Sequence, residues 1–188
     1  MVIGITGGIA SGKSFVSKYI EDKGYFVLDT DKLYKKLIMP GEVCYNALIK
    51  EFNYLNSDKT IDLVKLANVV YNDHDKLRLL NSIVHPLIYE ETKKIINKHQ
   101  DTIFLVVPLM FEAKFDTLCD KIICVYTSLD NQISRLMKRD NIDKDLALKK
   151  INSQMDTKER IKRSDYTIES CVDFNKTIEN IENVLERI

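Results

Sequence analysis

The 188-residue chain predicts an α/β, three-layer fold: a mostly parallel five-stranded sheet between helices, with helical segments inserted between strands. Three observations carry this. Apolar residues gather in continuous runs rather than alternating with polar ones, which marks strands buried on both faces and hence a parallel sheet. Helical patterns separate the runs, as a sheet sandwiched by helices requires. A glycine-rich turn joins the first run to the first helical pattern.

The elements follow in order. Val2-Ile3-Gly4-Ile5-Thr6 is the first strand. After the glycine-rich turn comes a helical pattern with Phe15, Val16, Tyr19 and Ile20 on one face, and Gly24 stands where a glycine commonly ends a helix. Tyr25-Phe26-Val27-Leu28 is a second strand, ending in Asp29-Thr30-Asp31. Residues 32–100 are mainly helical in pattern; Pro40-Gly41 breaks one segment, and His85-Pro86 marks a break in a later one. Strands return at Ile103-Phe104-Leu105-Val106-Val107 and from Lys121 to Tyr126. Residues 128–163 are charged and helical, and a short strand at Tyr166-Thr167-Ile168 precedes a terminal helix.

Composition narrows the function classes. Hydrophobic residues make up 45% and charged residues 30%, an ordinary globular balance. Lys plus Arg equals Asp plus Glu at 28 each, so there is no global basic footprint for nucleic acid or a membrane surface. No apolar stretch approaches the roughly 20 residues that span a bilayer. The chain opens directly on a strand, so a cytoplasmic protein is expected, acting on small molecules as a monomer or weak homo-oligomer. Cys44, Cys119, Cys124 and Cys171 form no C-x-x-C pair, which favours reduced cysteines packed as small hydrophobes.

Gly7-Gly8-Ile9-Ala10-Ser11-Gly12-Lys13-Ser14 fits the phosphate-binding pattern G-x-x-x-x-G-K-[ST]. Glycines let successive amides point inward and form an anion nest at a helix N-terminus. Lys13 is placed to reach the β- and γ-phosphates of ATP, and the Ser14 hydroxyl to ligate Mg²⁺. The turn thus predicts a P-loop NTPase-type core. No guanine-reading N-K-x-D segment is present, because Asn97-Lys98-His99-Gln100-Asp101 has one residue too many. The size suits a small-molecule kinase that moves the γ-phosphoryl group to a hydroxyl.

Asp29 and Asp31 end the second strand, at the sheet edge where α/β proteins place ligands. Either carboxylate could accept a proton from the attacking hydroxyl, help hold Mg²⁺, or cap the following helix. The third strand lacks a terminal acid, leaving Asp29, Asp31 and Glu112 as candidate metal carboxylates. Arg135 and Arg139 share one helix face, and Arg160 and Arg163 follow. They are either a solvated charged face or a mobile cover that neutralises phosphate charge. His85, a lone histidine before Pro86, reads as structural on these grounds.

These residues resemble one family, the dephospho-coenzyme A kinases. The resemblance rests on Thr6 to Ser14, Leu28-Asp29-Thr30-Asp31, Pro40-Gly41, His85-Pro86-Leu87-Ile88 and Val107-Pro108-Leu109-Met110-Phe111-Glu112. It continues with Gln132, Arg135, Arg139-Asp140, Gln154, Arg160 and Ser164-Asp165-Tyr166-Thr167-Ile168. It departs at Leu63, where the family often has arginine, and at Ser164 and Ser170, in place of alanine and asparagine. The resemblance implies phosphorylation of the ribose 3′-hydroxyl of dephospho-CoA by ATP, the last step of coenzyme A synthesis. It implies a nucleotide-binding core (residues 1–31, 101–127 and 164–188), a helical substrate domain (32–100) and a lid (128–163). Asp31 would be the base, acting with Lys13 and Arg139. Residues Gly8 to Ser14, Arg135 and Arg160 would hold the nucleotide. His85, Pro108, Leu109 and Glu112 would stand on the acceptor side.

Overall fold

The computed structural model describes residues 1–188, with side chains except that of Tyr71. The apolar runs form strands β1 (Val2–Thr6), β2 (Phe26–Asp29), β3 (Ile103–Val106), β4 (Lys121–Tyr126) and β5 (Tyr166–Glu169). They make one sheet in the order β2-β3-β1-β4-β5. β1 runs parallel to β3 and β4, and β4 parallel to β5; Ile5 stands opposite Val106 on one side and Ile123 on the other. Two-sided burial holds for the central strands: all of β3 is buried, as are residues 3–6 of β1 and 122–125 of β4. It fails at β2. That strand lies at an edge, and Tyr25 and Phe26 are exposed.

One sheet face is covered by helix α1 (Lys13–Asp22) and a terminal helix, Phe174–Leu185, whose Val16, Ile20 and Ile181 pack with Ile3, Ile5 and Ile123. On the opposite face Gly4 permits a close approach, since a Cβ there would lie 2.7 Å from Met110 Cε and 2.8 Å from Cys119 Sγ. Burial pushes the Cys124 thiol up to about 11 and, with Asp116 and Asp120 adding to it, that of Cys119 up to about 12. Both are protonated at neutral pH, as packed hydrophobes should be.

The chain divides into two compact units, Met1–Leu28 with Gln100–Ile188, and Asp29–His99. The second is helical, with α2 (Thr30–Leu37), α3 (Val43–Glu51), α4 (Leu63–Tyr71) and α5 (His74–Lys98). Pro40-Gly41 falls between α2 and α3. The break expected at His85-Pro86 does not occur, and α5 runs through Pro86. An interior proline costs about 3 kcal/mol, because it removes one amide and crowds the preceding turn. Burial of Val84, Ile88 and Thr92, in a helix that packs on α2, α3 and α4, offsets that cost. In the first unit, residues 128–163 form α6 (Leu129–Asp140), α7 (Lys144–Asn152) and α8 (Thr157–Lys162). With them the terminal helix is α9. Ile133, Leu136 and Ala147 are buried where α6 and α7 meet.

Candidate active site

β1 delivers the chain into the glycine-rich turn and α1 carries it away. Gly12 caps α1 at φ +102° and makes no side-chain cap hydrogen bond to it. A Cβ at Gly12 would stand 2.2 Å from Ser170 Oγ, and one at Gly7 would stand 2.2 Å from the Val125 carbonyl oxygen. Glycine is required at both positions by lack of room. Lys13 folds back over the turn, its Nζ donating to the carbonyls of Gly7 (2.6 Å) and Gly8 (2.9 Å). Ser11 Oγ is buried and has no hydrogen-bond partner among the described residues. Ser14 is exposed at the second residue of α1. An uncapped helix end, an ammonium and an orphaned hydroxyl together fit an anion, which would satisfy all three.

The arginines have different surroundings. Arg135 on α6 donates from Nη1 to Ser170 Oγ (3.0 Å) and from Nη2 to the carbonyls of Ser170 (3.2 Å) and Cys171 (2.8 Å). It lines a cleft of about 510 Å³ with Gly12, Phe15, Ser170, Val172 and Phe174, a volume in the range of small-molecule sites. The rings of Phe15 and Phe174 lie 5.2 Å apart at this cleft. Arg139 is exposed and pairs with Asp140, Nε to Oδ1 at 2.7 Å, while Lys150 reaches the other oxygen at 2.8 Å. Arg139 first, then Lys150, hold the Asp140 carboxyl well below the usual carboxylate range.

Arg160 is 1% exposed. Its Nη1 donates to Thr6 Oγ1 (3.2 Å) and the Pro108 carbonyl (3.1 Å), and its Nη2 to Glu112 Oε1 (3.3 Å). Nε has no partner among the described residues. Pro108 and Glu112 thus meet Arg160 directly below the turn, one residue before Gly7, and Leu109 is half-buried between them in sequence.

In the helical unit the two aspartates separate. Asp29 Oδ1 accepts from the amides of Asp31 (2.8 Å) and Lys32 (3.2 Å), so it is the cap of α2. Asp31 stands exposed in the first turn of that helix. His85 is half-buried on α5, and burial lowers its imidazole below the ordinary value, which favours the neutral ring. Among the described residues no cluster of three His, Cys, Asp or Glu side chains could hold a metal ion.

Gln132 and Gln154, which the sequence places in the lid segment without assigning either a contact, both reach the turn. Gln132 Nε2 donates to the Ile9 carbonyl (2.6 Å), and the Ile9 amide donates to Gln154 Oε1 (2.7 Å). A polar Gln132 beside Ile133 on the buried side of α6 was the available signal.

A family model described as dephospho-CoA kinase matches residues 1–175. A dephospho-CoA kinase of Fusobacterium nucleatum is 39% identical, covering all of this chain and 98% of that one. A crystal structure from Thermus thermophilus superposes with a TM-score of 0.84 at 26% identity, over 100% of this chain and 97% of the other. The Campylobacter jejuni dephospho-CoA kinase gives a TM-score of 0.73 at 26% identity, over 99% and 96%.

Proposed function

Since the chain belongs to the dephospho-CoA kinase family, we propose how its own residues carry out that reaction. The enzyme transfers the γ-phosphoryl group of ATP to the ribose 3′-hydroxyl of dephospho-CoA, giving CoA and ADP in the last step of coenzyme A synthesis. The observation that carries the reading is the uncapped amino end of α1, with Lys13 and the unpartnered Ser11 hydroxyl beside it.

The amides from Gly8 to Ser14 hold the β- and γ-phosphates. Lys13 leaves the carbonyls of Gly7 and Gly8 for the phosphate oxygens, which carry full charge and so compete well for an ammonium. Arg135 lines the cleft beside Gly12, where it would meet the nucleotide. Arg139 exchanges Asp140 for the transferring phosphoryl group as residues 128–163 close. Lys150 stays with Asp140, so that carboxylate is not left unpaired. Arg160 adds a buried positive charge next to the end of β1, balanced by Glu112. Ser14 offers a hard oxygen donor beside the phosphates, which fits Mg²⁺; Ser14 and phosphate oxygens would hold the ion. When bound, it neutralises charge on the β- and γ-oxygens.

Asp31 takes the proton of the 3′-hydroxyl. Its place in the fold supports it: Asp31 follows the carboxyl end of β2, the edge at which α/β sheets gather their ligands. In the unit from Asp29 to His99, a neutral His85 would donate one hydrogen bond to the acceptor or accept one from it. Pro108, Leu109 and Glu112, in the turn after β3, are likewise proposed for acceptor contacts. Such an enzyme would act in the cytoplasm as a monomer or weak homo-oligomer. Asp31→Asn tests the scheme: kcat should fall roughly 10²–10⁴-fold, the usual range for a general base, with Mg-ATP binding unchanged. Unaltered turnover would remove Asp31 from the mechanism.

A further inference from the structure

The tip of the phosphate turn is held by side chains from residues 128–163. Ile9 has both its backbone groups engaged by side-chain amides, the N–H by Gln154 at 2.7 Å and the carbonyl by Gln132 at 2.6 Å. The two bonds fix two consecutive peptide planes, 8–9 and 9–10. The first plane carries the Gly8 carbonyl, which accepts from Lys13 Nζ and from the Ser11 amide. The second carries the amide of Ala10, a residue in the left-handed region at φ +57° that disfavours any side chain. Gln132 is 5% exposed, and Ile9 packs against the cluster of Ile133, Leu136 and Ala147. Gly8 makes the space, since a Cβ there would lie 2.9 Å from Gln132 Nε2.

We infer that Gln132 and Gln154 are positioning residues for phosphoryl transfer. By clamping Ile9 they aim the turn's amides and, through the Gly8 carbonyl, the Lys13 ammonium at the place of the terminal phosphate. They also tie that aim to the packing of α6 and α7. A glutamine suits the task because its amide donates and accepts without bringing a charge next to the phosphates. This inference rests on reading residues 7–14 as the phosphate cradle.

The test is a double-mutant cycle in the full-length enzyme, with kcat, KM for ATP, KM for dephospho-CoA and Tm measured throughout. Gln132→Ala and Gln154→Ala should each lower kcat/KM for ATP roughly tenfold, the scale of a small misplacement near the reacting atoms, leaving KM for dephospho-CoA unchanged. The double variant should be little worse than either single one, because each loss frees the same turn. Gln154→Met keeps the volume but loses the acceptor, whereas Gln154→Glu keeps the acceptor. The clamp predicts a higher kcat for Glu than for Met at saturating ATP, together with a raised KM for ATP. Additive losses, losses that track Tm alone, or a Met variant as active as wild type would overturn the inference. Lys13→Ala separates the two levels of the argument. If that variant turns over normally, the cradle reading itself fails; if it is inactive while the glutamine variants behave as wild type, only the clamp fails.

Discussion

The amino end of α1 and those of α6, α7 and α8 belong to one unit, yet they treat their unsatisfied amides in opposite ways. Ser128 Oγ accepts from the Asn131 amide at 3.3 Å, Asp143 from Leu146 at 2.8 Å, and Asp156 from Lys158 at 2.8 Å and Glu159 at 3.3 Å. Each of these helices is completed by its own chain. α1 begins instead at Gly12, which has no side chain to offer. Where a helix only has to form, a short polar residue closes it; at α1, the proposed anion site, the cap residue has no side chain and a bound anion would complete the turn.

Changing the two kinds of helix end should therefore have different consequences, and the largest lies at α1. Gly12→Ala forces a Cβ into φ +102° and places it 2.2 Å from Ser170 Oγ. Turnover should fall by roughly 100-fold or more, as misplacement at a reacting centre does, and calorimetry should find Mg-ATP binding lost. If binding persists at wild-type strength, α1 is not the phosphate site and the comparison breaks. A smaller effect of another kind is expected at α7. Asp143→Ala should cost about 1 kcal/mol of stability, the usual value of a lost cap, readable as a lower urea midpoint. Its kcat and KM should stay at wild-type values. A loss of ATP affinity in that variant would mean that the capped ends also serve the ligand.

Local chemistry explains what could be read in advance. The strand, turn and helix around residues 2–20 were legible because each residue answers to its neighbours in sequence: an apolar run, then glycines, then a stripe at helical spacing. The ambiguity between Asp29 and Asp31 was visible in the sequence, but only coordinates show which carboxylate reaches the α2 amides. Pro86 misled because the break rule is local, whereas α5 is held by contacts with three other helices. The continuous run of β2 misled because an edge strand and a central strand share the same composition. Arg139 and Arg160 looked alike as members of a charged segment. One is exposed beside Asp140 and the other is buried against Thr6 and Glu112, a difference set by long-range packing. Gln132 and Gln154 were assigned no contact for the same reason, since 123 and 145 positions separate them from Ile9.

Titration of the wild-type chain and of Lys13→Ala with Mg-ATP, followed by calorimetry, probes the cradle most directly. One nucleotide should bind per wild-type chain, and the variant should bind it roughly 10- to 100-fold more weakly, the range for a hydrogen bond to a charged group. Equal affinity in the two proteins, or no heat from the wild type, would contradict the assignment of residues 7–14 to the phosphates of ATP.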